Sequence, residues 1–181
     1  MNPSKILVLG WGRAGKDAAG AFFNDHLGLR YCGSTSWSAL PLLAEHWGRP
    51  DQLVWEERHQ NRQLWKDTLD GFRKDDPTLL IRRALLRDPR GRVVTGVRDR
   101  SEVLAAKEQK MFKHVLWIER PGIPPDPTVT FSASDCTDFV KNDGSLRRFH
   151  RNLIVWAFHA SVESVTLSDY AKDVFADLDP K

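Results

Sequence analysis

The chain has 181 residues and a mass of 20.7 kDa, with 41% hydrophobic and 28% charged residues, 12 Gly and 10 Pro. That is the make-up of one compact globular domain, and it excludes a disordered tail, a collagen-like fibre and a coiled-coil rod. The formal charge is only +3, from 27 basic and 24 acidic residues, but it is unevenly spread: Arg73 to Arg100 carries nine Arg or Lys against four Asp, whereas Val162 to Lys181 carries two Lys against five acids. An anion is therefore expected near the middle of the chain, and a nucleotide phosphate or a nucleic acid would each exploit that field.

No apolar run approaches the roughly 18 residues of a membrane span. The opening MNPSKILVLGWG offers too short an apolar stretch for a secretory leader. The expected setting is cytoplasmic, with no membrane partner. Cys32 and Cys136 are too few for a disulfide framework and are expected as reduced thiols.

Lys5 to Leu9 reads as a continuously apolar strand, the pattern of a parallel strand covered on both faces. It runs into the glycine-rich turn Gly10-Trp11-Gly12-Arg13-Ala14-Gly15 and then a helix from Lys16 to Asp25, with Ala19, Phe22 and Phe23 at helical spacing. A second strand is expected at Leu29 to Cys32, followed by a helix capped by Ser36 and reaching His46. Pro50 suits the first turn of a further helix running from Asp51 to about Arg73. Asp76-Pro77 signals the next helix, ended by Asp88-Pro89-Arg90-Gly91. Arg92 to Thr95 is a third strand, Ser101 opens a helix to about Met111, and His114 to Ile118 is a fourth strand. After the loop PGIPPDP, Phe139 to Lys141 is the fifth strand. Leu146, Phe149, Leu153, Trp156 and Ala160 then mark an amphipathic helix, and Ser168 caps a last short one through Phe175 before an acidic, fraying end. Strands alternating with helices predict a three-layer α/β domain with a mainly parallel five-stranded sheet flanked by helices. Neither repeat nor linker divides residues 1–181, so a single domain is expected.

The segment GWGRAGKD, Gly10 to Asp17, has the spacing of a phosphate-binding loop: glycine, four residues, glycine, lysine. Glycines let successive backbone amides converge on a phosphate with no Cβ in the way. Lys16 then reaches the terminal phosphates while the helix start presents its positive end. Asp17 stands where a magnesium-binding Ser or Thr is usual, and Ala18 removes the next hydroxyl. A carboxylate is a hard oxygen ligand for Mg2+, and it also suits a helix N-terminus with no metal role. Arg13 has a planar fork suited to bridging two phosphoryl groups.

With these residues in place, the chain resembles the P-loop nucleoside monophosphate kinases, and most closely the phage-type deoxynucleoside monophosphate kinases. Three stretches carry the likeness: GWGRAGKD, then TGVRDRSEV from Thr95 to Val103, then Lys141-Asn142-Asp143-Gly144-Ser145-Leu146. They occur in order and span most of the domain. Gly96 departs from the family in lacking a strand-end aspartate, and Ala18 in lacking a threonine. The resemblance implies a P-loop kinase fold, ATP and Mg2+ as cofactors, a deoxynucleoside monophosphate as acceptor, a homodimer, and a host-cytoplasmic setting for a phage-encoded chain. Dephospho-coenzyme A kinases share parts of the pattern, so another phosphorylated metabolite is the alternative acceptor. A basic nucleic-acid-binding module is the non-enzymatic alternative.

Site expectations follow from motif and resemblance together. Gly10, Trp11, Gly12, Arg13, Ala14, Gly15, Lys16, Asp17 and Ala18 surround the donor phosphates, with Asp17 as metal ligand. Arg98 lies just past a strand end, where open α/β sheets hold ligands. Asp99 and Glu102 both suit helix N-terminal charges, and Glu102 is the one that the resemblance assigns a functional part, orienting Arg98 or holding a magnesium-bound water. The helical region from about 34 to 90 borders the acceptor, whose phosphate sits between Arg58 and Arg62, one helical turn apart; Arg73, Arg82 and Arg83 are substitutes. Trp37 or Trp55 would stack on the acceptor base. Arg120 belongs to a lid over about 119–135, and Asn142 and Gly144 contact adenine. Of the seven tryptophans, Trp117 and Trp156 are expected in the core.

Overall fold

Strand β1 (Ile6–Leu9) is buried along its whole length, as its unbroken apolar run predicts. In the computed structural model, which describes residues 4–176, it is the centre of a five-stranded, all-parallel sheet. The order is β2-β3-β1-β4-β5, with β2 at Tyr31–Ser34, β3 at Val93–Thr95, β4 at His114–Glu119 and β5 at Asp138–Lys141. Ile6 is paired on one side with Val93 and on the other with His114. The expected fraying of the acidic end falls outside the described residues, as do the first three residues.

Because side chains alternate along a strand, β1 sends Ile6 and Val8 to one face and Leu7 and Leu9 to the other. On the first face lie α1 (Lys16–Leu27), α7 (Leu146–His159) and α8 (Asp169–Ala176), contributing Phe23, Leu27, Phe149, Leu153 and Ala171. On the second lie α5 (Leu79–Arg87) and α6 (Arg100–Glu108), with Ile81, Ala84, Val103 and Ala106. Phe131 covers the same face from the irregular segment between β4 and β5. This is the three-layer α/β architecture. Each fully buried Phe or Leu is worth about 1.5–3 kcal/mol. Trp117 and Trp156 are in the core. A third apolar cluster joins α2 (Thr35–Trp47), α3 (Asp51–Glu56), α4 (Arg62–Arg73) and Leu80 of α5. It forms a helical projection between β2 and β3.

Four local expectations are corrected. The helix expected from Asp51 to Arg73 is broken into α3, a 3-10 turn at Glu57–His59, and α4. The wholly polar stretch there has no apolar face to bury, and its side chains tie up the break instead: Glu57 takes a two-pronged bond from Arg49 at 2.9 and 2.8 Å and a third from Asn61 at 3.3 Å. Strand β2 starts two residues late because Gly28 ends α1 in the left-handed conformation and the Leu29 amide is spent on the Phe23 carbonyl. Ser34, not Ser36, caps α2, and α6 opens at Arg100, one residue before Ser101, with Asp99 as its cap; each capping side chain accepts from the amide two residues on. Both cysteines are free, and burial pushes their thiols up, to about 11 for Cys32 and about 12 for Cys136.

All five strands point the same way, so their C-terminal ends share one edge of the sheet. There β1 must turn sharply beneath β4. Gly10 has φ +149°, and a Cβ on it would lie 2.6 Å from the Ile118 carbonyl oxygen. Since that neighbour is strand backbone, it has nowhere to move. Gly10→Ala is expected to destabilise the fold by about 2–4 kcal/mol, measured by denaturant unfolding, whereas Gly71→Ala, with open space around it, should cost nothing or stabilise.

Candidate functional site

The turn after β1 and the start of α1 form a ring of backbone around the helix N-terminus. Arg13 adopts φ 65° and Gly15 φ 103°, and Gly15 caps α1 without any side-chain hydrogen bond to the first-turn amides. Those amides are left for an anion, and the dipole of the twelve-residue helix favours one there. Lys16 folds back and donates to the Trp11 carbonyl at 2.6 Å, while the Ala14 amide reaches the same oxygen at 3.2 Å. Burial lowers the Lys16 ammonium from 10.5 to about 8; Asp17 and Asp126 oppose this, and the charge of Arg98 adds to it. A half-buried cation bonded to a carbonyl rather than to a carboxylate is the state that a bound phosphate relieves.

Three neighbours hold this turn in shape. The Asn142 amide donates to the Ala14 carbonyl at 2.9 Å, and its nitrogen would be 2.7 Å from any Cβ on Gly15. Arg120 donates to the Arg13 carbonyl at 3.3 Å. Trp11 packs edge-on against Trp117, with ring centroids 5.1 Å apart. The Asp17 carboxylate accepts from the Thr95 hydroxyl at 2.8 Å through Oδ1 and lies 3.1 Å from the Tyr31 hydroxyl; the two hydroxyls are 2.7 Å apart. Asp17 thus links the start of α1 to the end of β3 and keeps Oδ2 unbonded. Ala18 is exposed.

Beside the turn opens a cleft. Arg58, Arg62 and Arg98 line it together with His59, and Trp65, Leu69 and Leu80 give it an apolar wall. The three arginines concentrate positive charge: Arg58 first, then slight desolvation, then Arg62 and Arg98 hold the exposed His59 imidazole below its ordinary 6.5. Arg98 donates to Thr128 and, at 3.3 Å, to Asp126. At the other side of the cleft Glu102 is 1% exposed, with Oε1 bonded to Arg73 and Oε2 buried without a partner. Arg73 is held in turn by Asp70.

The structure therefore gathers Lys16, Arg13, Arg120 and Asn142 at the turn, and Arg58, Arg62, Arg98 and Glu102 around the cleft. Arg58 and Arg62 meet there across the broken helix rather than along one helical face. Trp37 is apart from them. It stacks on Trp55 at 3.9 Å and is 43% exposed, on a shallow surface with Leu40, Pro41 and Arg87. Asn142 spends its amide on the turn, and Gly144 sits in the bend before Ser145, whose hydroxyl caps α7. The second half of the expected lid is fastened down: the Thr130 amide donates to the Arg98 carbonyl at 3.0 Å and its hydroxyl accepts from the Arg100 amide at 2.7 Å.

The basic segment does not make one face. Arg92 is buried at the opposite edge of the sheet, bonded to the Ser4 and Glu163 carbonyls, whereas Arg73 and Arg98 are at the cleft. Gly96 has φ +88°, and a Cβ there would lie 2.0 Å from the Ser34 hydroxyl, which explains why no side chain stands at this strand end.

Two residues were not singled out by sequence. Asp126 comes within 2.8 Å of where a Cβ on Gly12 would be, and it bonds Arg98 and both the amide and hydroxyl of Thr128. Its carboxyl is held below the ordinary range: burial pushes it up, but the Thr128 and Arg98 bonds outweigh that. Trp65 lines the cleft from a helix whose polar start hid it. The only available signal for Asp126 was the Asp-Pro-Thr turn, which resembles any loop.

No protein-family model matches the chain, and no curated protein matches it. Among the described residues no group of three or more His, Cys, Asp or Glu is arranged to hold a metal ion, and no helix is long and apolar enough to cross a membrane.

Burial raises the Glu102 carboxyl from 4.5 to about 7, against the pull of Arg73. Between those values the unfolded chain has already released the proton that the folded chain keeps, so folding stability falls as pH rises through this window. Glu102→Gln removes the titration. Unfolding free energies measured at pH ~5 and ~8 should show the parent losing about 3 kcal/mol relative to the variant; parallel slopes would refute the assignment.

Proposed function

We propose that the chain is a kinase that transfers the γ-phosphoryl group of ATP to the phosphate of a deoxynucleoside monophosphate, yielding the diphosphate. The observation that carries this reading is the double reach of Arg98. It lines the cleft with Arg58 and Arg62, and its partner Asp126 lies against Gly12 of the glycine-rich turn. A cationic turn shaped for a polyphosphate and a cleft shaped for one further phosphate are thus joined by a single guanidinium.

Phosphoryl transfer between phosphates needs alignment, charge neutralisation and exclusion of water more than covalent help. The acceptor phosphate is itself the nucleophile, so no general base is required. The first-turn amides of α1 and Lys16 hold the donor phosphates, with Lys16 leaving the Trp11 carbonyl to do so. Arg58 and Arg62 hold the acceptor phosphate, and Arg98 and Arg13 bridge to the transferred group. Arg120 reaches the same turn from the end of β4. The anchored segment 126–135 and the helical projection wall off water. A magnesium ion, when bound, offsets charge on the donor phosphates, and such an ion is commonly held by one carboxylate, phosphate oxygens and waters. The Oδ2 atom of Asp17, free beside the Thr95 hydroxyl, fits that role.

Steady-state assays with ATP, Mg2+ and each of dAMP, dGMP, dCMP and dTMP test the reading. Lys16→Ala should lower kcat/KM by about 10²-fold or more, as loss of a transition-state charge does, and Arg58→Ala or Arg62→Ala should raise KM for the acceptor by about 10-fold, the worth of one charge-assisted bond. Absence of turnover with every acceptor, or full activity in the Lys16→Ala protein, would remove the kinase reading.

The lowered Lys16 value adds a pH signature. Below about 8 the ammonium is charged; above it the free protein loses that charge before it meets the phosphates. ATP affinity, measured by calorimetry in the absence of acceptor, should weaken by up to about 10-fold per pH unit above that point. The Lys16→Arg variant, which keeps its charge, should lack this fall.

A further inference from the structure

Arg58 reaches the cleft with its side chain laid on an aromatic ring. Its guanidinium carbon is 3.9 Å from the centroid of the Trp55 ring, and Nη1 donates to the carbonyl of the same residue at 2.8 Å. Both partners are neutral, so the charge stays available to an anion, and of the five N-H groups of a guanidinium the carbonyl takes one. The other cleft arginines are held differently: Arg62, exposed on α4, donates to His59 Nδ1 at 3.1 Å, Arg98 is engaged by Asp126 and Thr128, and Arg73 by Asp70 and Glu102. The Trp55 ring is itself held. Trp37, in the first turn of α2, stacks on it with centroids 3.9 Å and planes 23° apart, and Trp65 of the cleft wall lies beside it at 6.4 Å. Thr35 and Ser36, just before Trp37, line the cleft, whereas the Trp37 and Trp55 rings stand outside that lining.

We infer that Trp55, braced by Trp37, is a positioning residue for the acceptor phosphate: its ring and carbonyl fix the Arg58 guanidinium at the cleft before the nucleotide arrives. The inference rests on the cleft being the mononucleotide acceptor site. An arginine side chain is rich in rotamers, and ordering it at the moment of binding costs affinity. A surface on which it already lies removes much of that cost. The 3-10 turn that carries Arg58 has no buried residue of its own, so nothing within the turn would hold the side chain. The face of an indole is electron-rich and attracts a cation more strongly than a phenol or a benzene ring does. Because the ring is neutral, it restrains the guanidinium without cancelling the charge that a phosphate meets, as a carboxylate would. Trp37 is 43% exposed, yet its ring is spent on Trp55, so the pair serves the phosphate-binding arginine from behind rather than a base from within the cleft.

The test is a double-mutant cycle on Trp55 and Arg58, read by steady-state kinetics with ATP, Mg2+ and each of dAMP, dGMP, dCMP and dTMP. Trp55→Leu should raise KM for the acceptor about 3- to 10-fold, the worth of a cation–π contact, while kcat stays within about 2-fold. Its folding is checked by undiminished ATP affinity. Trp55→Tyr, which keeps an electron-rich face, should recover most of the loss. In the Arg58→Ala protein, Trp55→Leu should add nothing further, because the group that it positions is gone. An unchanged KM in Trp55→Leu, no recovery in Trp55→Tyr, or the same increase with and without Arg58 overturns the inference. Where Trp55→Leu does not fold, Trp37→Leu at its exposed position gives the reading instead: about 2- to 4-fold in KM with Arg58 present and none in Arg58→Ala, an equal effect in both overturning the inference. If the parent binds ATP and turns over no monophosphate, the acceptor-site reading itself fails and takes this inference with it. If a monophosphate is turned over and the cycle is additive, this inference alone fails.

Discussion

The turn at Gly10 is the constraint from which the site is built. A short strand buried on both faces has to leave the sheet beneath its neighbour, and the carbonyl of Ile118 leaves room for no side chain at that point. The chain therefore turns through Arg13 and Gly15, both at positive φ, and starts α1 with bare amides. Asn142 completes the arrangement from the end of β5 by bonding Ala14. Three strand ends thus define one ring of backbone. Such preorganisation is what lets a loop bind an anion without first being ordered by it.

Around that ring, burial and charge oppose one another. Lys16 is held partly dry and gives up part of its hold on a proton. Glu102 is held almost wholly dry and keeps its proton to about neutrality despite Arg73. Both groups are destabilised in their charged forms by the fold alone, and both would be relieved by a ligand of complementary character. Arg98 lies between them, half exposed and engaged by Asp126 and Thr128. Its partners belong to the irregular segment between β4 and β5, which explains why a stretch without regular structure is nonetheless tied down at Thr128 and Thr130.

The helical projection shows how tertiary context overrides a local pattern. From sequence, Arg58 and Arg62 belong to one long helix. In the structure Glu57 gathers Arg49 and Asn61, Arg58 donates to the Trp55 carbonyl at 2.8 Å with its guanidinium over the Trp55 ring, and the helix breaks. The two arginines reach the same cleft by a different route. Trp37, equally aromatic and equally plausible as a base-stacking surface, is instead taken up by Trp55.

By itself the sequence determined the alternation of strands and helices, the strand-turn-helix at Gly10 to Asp17, and the core positions of Trp117, Trp156 and the apolar face of α7. These are set within a few residues, by hydrophobic period, by glycine's freedom at positive φ and by side-chain caps. Only the tertiary structure decided the strand order, the meeting of Arg58, Arg62 and Arg98, the place of Asp126 beside Gly12, and the unpaired oxygen of Glu102. Those depend on contacts between residues dozens of positions apart, where burial and the field of neighbouring charges, rather than residue type or spacing, settle what a side chain does.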